Sequence, residues 1–329
     1  MEDAKSYRKV IVGLDKGYFV VSLDFEIIYG LLDVVSEDYY KNLYAVSEVI
    51  PKILELFKEY SIAATWAPVG MLFNSDINEL LQNIPSKIPH YSDQKLSTYT
   101  YIRDIQEKQN HLFFAKNLIA LIAEYPYQEI ATHTYCHYYC TEPGQSIDEF
   151  DADIKQAIKI TKDNGFEAPY SMIFPRNMCN EKYLCALESN GIKTYRGETK
   201  AWYSQMPENL IKRAIRLMDA YLNIGGYECY DLQRDRIINI PASRFLYPYG
   251  KIQHLDWLKL NRIKKQMKYA ATHKKVFHLW WHPHNFGANI ASNINSLRYI
   301  LDYYSELNNK YNMESANMKM LGEQYCAEE

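Results

Sequence analysis

The 329-residue chain contains no hydrophobic run of the length a bilayer crossing needs, so a transmembrane helix is not expected. It has no long basic block and a net charge of only −3, so nucleic acid is not an expected partner. Its opening residues, Met1 to Tyr7, are polar and of mixed charge. They lack the apolar core of a signal peptide, and the expectation is a cytoplasmic protein. The 6 cysteines show no repeated spacing of a disulfide framework and read as free thiols. Neither an internal repeat, a low-complexity segment nor a linker divides the chain. One domain over residues 1–329 is the simplest reading.

What is present is an alternation of apolar runs and amphipathic stretches. Tyr18 to Leu23 is nearly continuously apolar, the pattern of a strand buried on both faces. Tyr44 to Tyr60 carries apolar residues at helical spacing, with Pro51 expected to kink or divide it. Ser61 to Ala67 reads as the next strand, and the rhythm repeats through Gln128–Thr132, Ser171–Phe174, Ile192–Arg196 and the His278 strand. Strand, helix, strand is the signature of a parallel α/β sheet. Between about residues 74 and 110 the pattern loosens. This section reads as an insertion over the strand ends, either a lid or a surface excursion.

The polar groups of interest stand where these strands end, the place at which parallel sheets and barrels put chemistry. His133 and His137 follow one strand. On a single helical turn that spacing sets both imidazoles on one face, close enough to hold one metal ion. Asp24 and Glu26 end another strand and point the same way. Two such acids are costly to bury without a metal or a cation. One carboxylate with two imidazoles makes a three-ligand site with positions open to water, suited to zinc and related divalent ions. Cys136 and Cys140 flank His137, so a mixed Cys/His zinc site is an alternative, ranked lower because it leaves Glu26 and His133 without a role. His278, His282 and His284 share one side of an extended strand. The 30 tyrosines, with Trp66, Trp280 and Trp281, offer aromatic faces for a sugar, although burial competes for each of them.

The ordered set Asp24-Phe25-Glu26, His133-Thr134-Tyr135-Cys136-His137, Phe174-Pro175-Arg176 and Trp281-His282-Pro283 resembles the polysaccharide deacetylases, carbohydrate esterase family 4. The resemblance runs from about residue 18 to 286. It implies an α/β fold, a distorted and incomplete (β/α) barrel, TIM-like and seven-stranded. It implies that Asp24 is the general base, and that Glu26, His133 and His137 hold one divalent metal, zinc first, with Co²⁺, Ni²⁺ or Mn²⁺ as other candidates. It further implies that Arg176 positions the base and that His282 protonates the leaving amine. Asn177, His284, Trp66 and Trp281 are the expected substrate contacts. Three features depart from the family pattern: the spaced Asp-x-Glu, an arginine that follows its proline, and Tyr195-Arg196-Gly197-Glu198 in place of an Asp-rich motif, where Glu198 is the candidate substitute.

The expected reaction is metal-dependent removal of an N-acetyl or other short N-acyl group from an amino sugar. A cytoplasmic location points to a nucleotide- or lipid-linked precursor of a surface polysaccharide, such as O-antigen or capsule. A homo-oligomer is compatible with the sequence. Two other classes compete. One is a glycoside hydrolase using Asp24 and Glu26, which would want a further acid where Ser22 stands. The other is a non-catalytic sugar-binding barrel.

Overall fold

A computed structural model describes residues 10–326 apart from 103–104, 106–108, 208 and 251–252. The polar opening stretch discussed above lies outside the described residues. Eleven strands are described: β1 (Val10–Val12), β2 (Tyr18–Phe25), β3 (Ala64–Pro68), β4 (Gln128–Ile130), β5 (Ser171–Ile173), β6 (Thr194–Arg196), β7 (Leu232–Arg234), β8 (Ile238–Asn239), β9 (Arg244–Phe245), β10 (Val276–Trp281) and β11 (Glu314–Ala316).

β2 is the centre. All of its residues are buried, as its uninterrupted apolar run requires. β10 lies parallel along one edge, pairing Val276 with Tyr18 through Trp281 with Leu23. The other edge is shared. β3 pairs with the C-terminal half of β2 and β11 with the N-terminal half, both parallel. β4 and β9 complete this sheet in the order β4-β3-β2-β10-β9. The second sheet runs β1-β7-β8-β6-β5, with β5, β6 and β8 parallel and β1 and β7 antiparallel.

The expected parallel α/β architecture is therefore present, while the strand ladders among the described residues fall into two sheets and not one closed ring. Single backbone bonds link the sheets. Thr132 N–H donates to Ser171 O at 3.1 Å, and Ile173 N–H to Thr132 O at 3.0 Å. On the other side Ala242 N–H donates to Gly197 O and Ser243 N–H to His278 O, both at 2.9 Å.

Pro51 does not divide its helix. The segment Val46–Glu59 is helical throughout, and the break falls earlier, at Ala45, after the short helix Tyr40–Tyr44. A proline removes one backbone bond. The buried stripe Val49, Ile50, Ile53, Leu54 and Phe57 offsets that loss. The helix Ile147–Asp163 begins at Ser146 with a capping box to Glu149. No helix among the described residues is long and apolar enough to cross a membrane. The helices Gln253–His273 and Ile290–Tyr311 pack together, and Met318–Cys326 closes the chain.

This arrangement brings the ends of β2, β3, β4 and β10 to one rim, since all run parallel. Asp24 sits near the end of β2, Glu26 just past it, His133 three residues beyond β4, and His282 directly after β10. The described residues of 74–110 carry short helical pieces and bind the loop that follows β4. Thr98 Oγ1 donates to Cys136 O at 2.8 Å, and Tyr91 OH accepts from Tyr139 N–H at 2.8 Å.

Candidate metal and catalytic site

The loop after β4 is not a helix, so the two histidines do not share a helical face as their spacing suggested. Thr134 and His137 have φ of 64° and 60°, in the left-handed region, and these two reversals turn both rings inward. Buried Asp153, from the helix Ile147–Asp163, holds the loop. Its two carboxylate oxygens accept Tyr135 N–H at 2.7 Å and Cys136 N–H at 3.0 Å. Burial pushes the Asp153 carboxyl up to about 6. Gly70 lets the loop approach β3: a Cβ there would lie 2.7 Å from Tyr135 Cδ2.

Glu26 meets both imidazoles. Its Oε2 is 2.8 Å from His137 Nε2 and 3.4 Å from His133 Nε2. His133 Nδ1 lies 2.9 Å from Ile173 O, so it carries the proton that the carbonyl accepts. That leaves the Nε2 lone pair facing Glu26, buried and without a hydrogen-bond donor. A tetrahedral ion with ligand bonds of about 2.0–2.1 Å sets its donors roughly 3.3–3.4 Å apart. The 3.4 Å separation matches that spacing and the 2.8 Å one is about half an ångström short of it, a shift a side chain supplies; the three donors are the cluster of metal-ligating groups found among the described residues. Burial lowers the His137 pKa, favouring the neutral ring that a metal binds. Gly30 makes room for the carboxylate, since a Cβ at that position would lie 2.2 Å from Glu26 Oε1.

Asp24 is clamped by Arg196. Nη1 donates to Oδ1 and Nη2 to Oδ2, each at 2.7 Å, in a buried bidentate pair. The same guanidinium donates to Ser22 Oγ and Asn177 Oδ1 and lies over the Trp280 ring at 4.3 Å. Burial, the largest single influence, raises the Asp24 carboxyl; the Arg196 charge and hydrogen bonds, with the neighbouring His133 and His282, together outweigh it and hold the pKa below the ordinary value. His282 Nε2 stands 3.4 Å from Glu26 Oε1 and 3.8 Å from Asp24 Oδ2. The other ring nitrogen is 3.3 Å from Asn285 Oδ1, and Asn285 in turn donates to Tyr39 OH at 2.9 Å.

Comparison with known proteins adds the family. A polysaccharide deacetylase model matches residues 20–195, just over half of the chain. The chain belongs to the polysaccharide deacetylase family. Among solved structures, one from Mycobacterium smegmatis that carries a polysaccharide deacetylase name superposes with a TM-score of 0.61 at 14% identity, covering 97% of this chain and 96% of the other. PuuE allantoinase gives a TM-score of 0.54 at 12% identity, covering 94% and 90%. A family 4 carbohydrate esterase from Streptomyces lividans, in complex with acetate, gives 0.39 at 9%, with 93% of each chain covered. No curated protein matches the sequence. The family is generally metal-dependent, in keeping with the donor set above.

The residues singled out in the sequence sort unevenly in the structure. Asp24, Glu26, His137, Asn177, His282 and His284 line one cavity of about 290 Å³, together with Gly30, Arg176 and Trp280. His133 lies directly beneath, fully buried. Arg176 is not the partner of Asp24. It and Asn177 have φ of 55° and 54°, which turns the Arg176 side chain outward. Its Nη2 donates to Asp33 at 2.7 and 2.9 Å, and its guanidinium lies over Tyr139. Arg196 has the place expected for Arg176, because the strand order sets the end of β6 across from β2. The backbone N–H of Asn177 is already committed to Phe174 O at 2.9 Å, so it offers nothing to an oxyanion.

Trp66 and Trp281 are core residues, not substrate contacts. Both are fully buried, Trp66 donating to Gln128 Oε1 at 2.9 Å and Trp281 stacking on Phe286. Trp280 alternates to the other face and lines the cavity. His278 is buried between Ile240 O and Ser22 Oγ, and burial takes its pKa down to about 3. Burial and the neighbouring His282 do the same to His284. Cys136 and Cys140 stay outside the cluster: burial raises both thiols, Cys140 to about 12. Glu198 lines an adjoining cavity of about 530 Å³, shared with Arg176, Asn177, Phe245 and Trp280.

Arg196, Gly30 and Asp153 were not among the sequence-derived site residues. Arg196 had a signal: an arginine at the C-terminal end of a strand, the position that the other site residues share. Gly30 and Asp153 had none, because their roles rest on approaches visible only in three dimensions.

Proposed function

We propose that the chain hydrolyses the N-acyl group of an amino sugar, releasing a short carboxylate and a free amine. The observation that supports this most is the convergence on one cavity of a buried Glu26–His133–His137 donor set, an Arg196-clamped Asp24, and His282.

A divalent ion held by Glu26, His133 and His137, zinc by the mixed nitrogen and oxygen ligation, would supply Lewis acidity to the acyl carbonyl and make water more acidic. Asp24 takes the proton of the attacking water. Arg196 fixes both of its oxygens and keeps it ionised. His282 gives a proton to the departing nitrogen, aimed by Asn285 and Tyr39 behind it. Trp280 offers a ring at the cavity wall for a sugar face. Arg176 and Asn177 contribute polar groups to the same wall. The adjoining cavity gives room for a substrate larger than one sugar, in keeping with a nucleotide- or lipid-linked precursor of a surface polysaccharide. The backbone links between the two sheets favour the distorted seven-stranded barrel, and residues 74–110 serve as a brace for the His137 loop.

The test is to load the protein with zinc and incubate it with acylated amino sugars, free and carrier-linked. Mass spectrometry then follows loss of the acyl group. Amine release that chelator removes and metal restores supports the reading. Glycan cleavage without amine release would transfer the site to glycoside hydrolysis, and inert metal-loaded protein that still binds sugar would make it a binding barrel.

A further inference from the structure

The helix Leu210–Asp219 is turned inside out. At about 100° per residue, Leu210, Ile211, Leu217 and Met218 share one face, with Lys212 and Asp219 opposite. A surface helix ordinarily buries its apolar stripe. Here that stripe faces outward: Leu210 is 80% exposed, Ile211 64%, Leu217 51% and Met218 47%. Leu222, just beyond the helix, is 55% exposed, and Trp202, 57% exposed, joins the patch by donating its indole N–H to Ile224 O at 3.1 Å.

The polar side is held inward by specific bonds. Asp219 is fully buried and accepts Arg244 Nη2 at 2.7 Å, Ile224 N–H at 2.9 Å and Gly225 N–H at 2.6 Å. Lys212 Nζ donates to Ser204 O and Met206 O, both at 2.8 Å. Rotating the helix to bury its leucines would break every one of these contacts, so the outward apolar face is built in. A contiguous exposed apolar face on a fixed helix marks a contact surface.

Charge decides the occupant. The exposed charged side chains on this helix, Arg213 and Arg216, are both cationic, because the one acid, Asp219, is buried. An apolar face with two arginines along one edge and a tryptophan beside it matches the headgroup boundary of an anionic bilayer. A second copy meeting it about a two-fold axis would bring arginine toward arginine, without a compensating acid on the helix. Arg216 and Lys212 also line the large cavity that adjoins the site.

We propose that the helix Leu210–Asp219 docks on an anionic bilayer, and that the adjoining cavity receives an acylated amino sugar presented from that surface on a lipid phosphate. The docking stands on the helix alone; the substrate class rests on the deacetylase reading.

The full-length protein is sedimented with vesicles of phosphatidylcholine alone or mixed with phosphatidylglycerol. The wild type pellets with the anionic vesicles and is released by salt. Leu210→Ser with Leu217→Ser lowers that binding by about tenfold or more, without shifting the thermal melt, since both side chains are exposed. A wild type that stays in the supernatant at low salt overturns the docking, as does a double variant that pellets equally well. Light scattering covers the other occupant: a dimer that the double variant splits, with no vesicle binding, gives the face to a second copy. Vesicle binding without amine release from soluble or lipid-linked acylated sugars upholds the docking and sinks the substrate half with the deacetylase reading.

Discussion

Among the described residues, buried arginines hold carboxylates in two places, and they do so to different ends. Arg244 binds Asp219 and Glu228; Arg262 donates to the other Asp219 oxygen, Tyr203 OH to the other Glu228 oxygen, and Gln266 to the Glu228 oxygen that Arg244 also holds. Both acids are buried and spent on hydrogen bonds, with Glu228 and Arg244 at the wall of the adjoining cavity, and the product is position: the network anchors the polar side of an outward-facing helix. Arg196 also makes a bidentate pair, with Asp24, but the pair stands at a cavity wall with His282 3.8 Å away. One network is closed on itself and structural. The other leaves a carboxylate clamped yet reachable, which is the condition for a positioned base.

The largest expected effect lies beside the open pair. His133→Ala should leave no bound divalent ion by elemental analysis and no turnover; a fully loaded variant would falsify the ligand set. Asp24→Asn should retain the ion while turnover falls by about 10²–10⁴, because the amide keeps the shape but takes no proton. If it loses the ion and Glu26→Gln keeps it, the two carboxylates have exchanged roles.

The closed network is expected to respond in stability instead. Arg244→Leu removes one partner of buried charges and should cost about 3–5 kcal/mol in denaturant unfolding. Activity per folded molecule should stay near that of the wild type on a small soluble substrate that does not reach the adjoining cavity, whose wall Arg244 shares. The pH dependence has a definite sign. Burial raises Asp219, but the Arg244 charge and hydrogen bond, the Gly225 N–H and Arg262 together lower it more, so its net pKa lies below the ordinary 3.8. Its contribution is present above that value and lost as pH falls through the lowered pKa. The gap between wild type and Arg244→Leu should therefore narrow in acid. A gap that widens there would contradict the network's assigned charges.

Arg196→Gln sharpens the comparison. Burial is then unopposed, Asp24 takes up a proton more readily, and the acid limb of the rate profile moves to higher pH. An unmoved limb would mean that Arg196 packs without aiming the base. The smallest effect belongs to Arg176→Ala. Its ion-pair partner is the partly buried Asp33 and not Asp24, and a rise in KM of a few-fold with kcat nearly kept is expected. A loss of kcat as large as that of Asp24→Asn would restore Arg176 to the role its motif position suggested.

Local pattern was enough for much of this molecule. The continuous apolar run of β2 made a central strand legible, and acids and histidines after apolar runs announced the rim where they now meet. Burial on both faces demands an apolar run, and a buried carboxylate demands a partner; both demands are written in residue type. The sequence also carried the alternation of Trp280 and Trp281, but not which of the two faces the cavity, because period says that they differ and not where the core lies.

Tertiary structure decided the rest. Strand order put Arg196, not Arg176, across from Asp24. Left-handed turns at Thr134 and His137 replaced the expected helical turn, stabilised by a carboxylate 17 and 18 residues away. Short β11 found its place only by pairing with β2, nearly 300 residues earlier in the chain. The helix Leu210–Asp219 has an amphipathic sequence that reads like any buried one; its outward face follows from where Arg244 stands. In each case the deciding partner is remote in sequence, and a contact between remote residues leaves no trace in the pattern of either one alone.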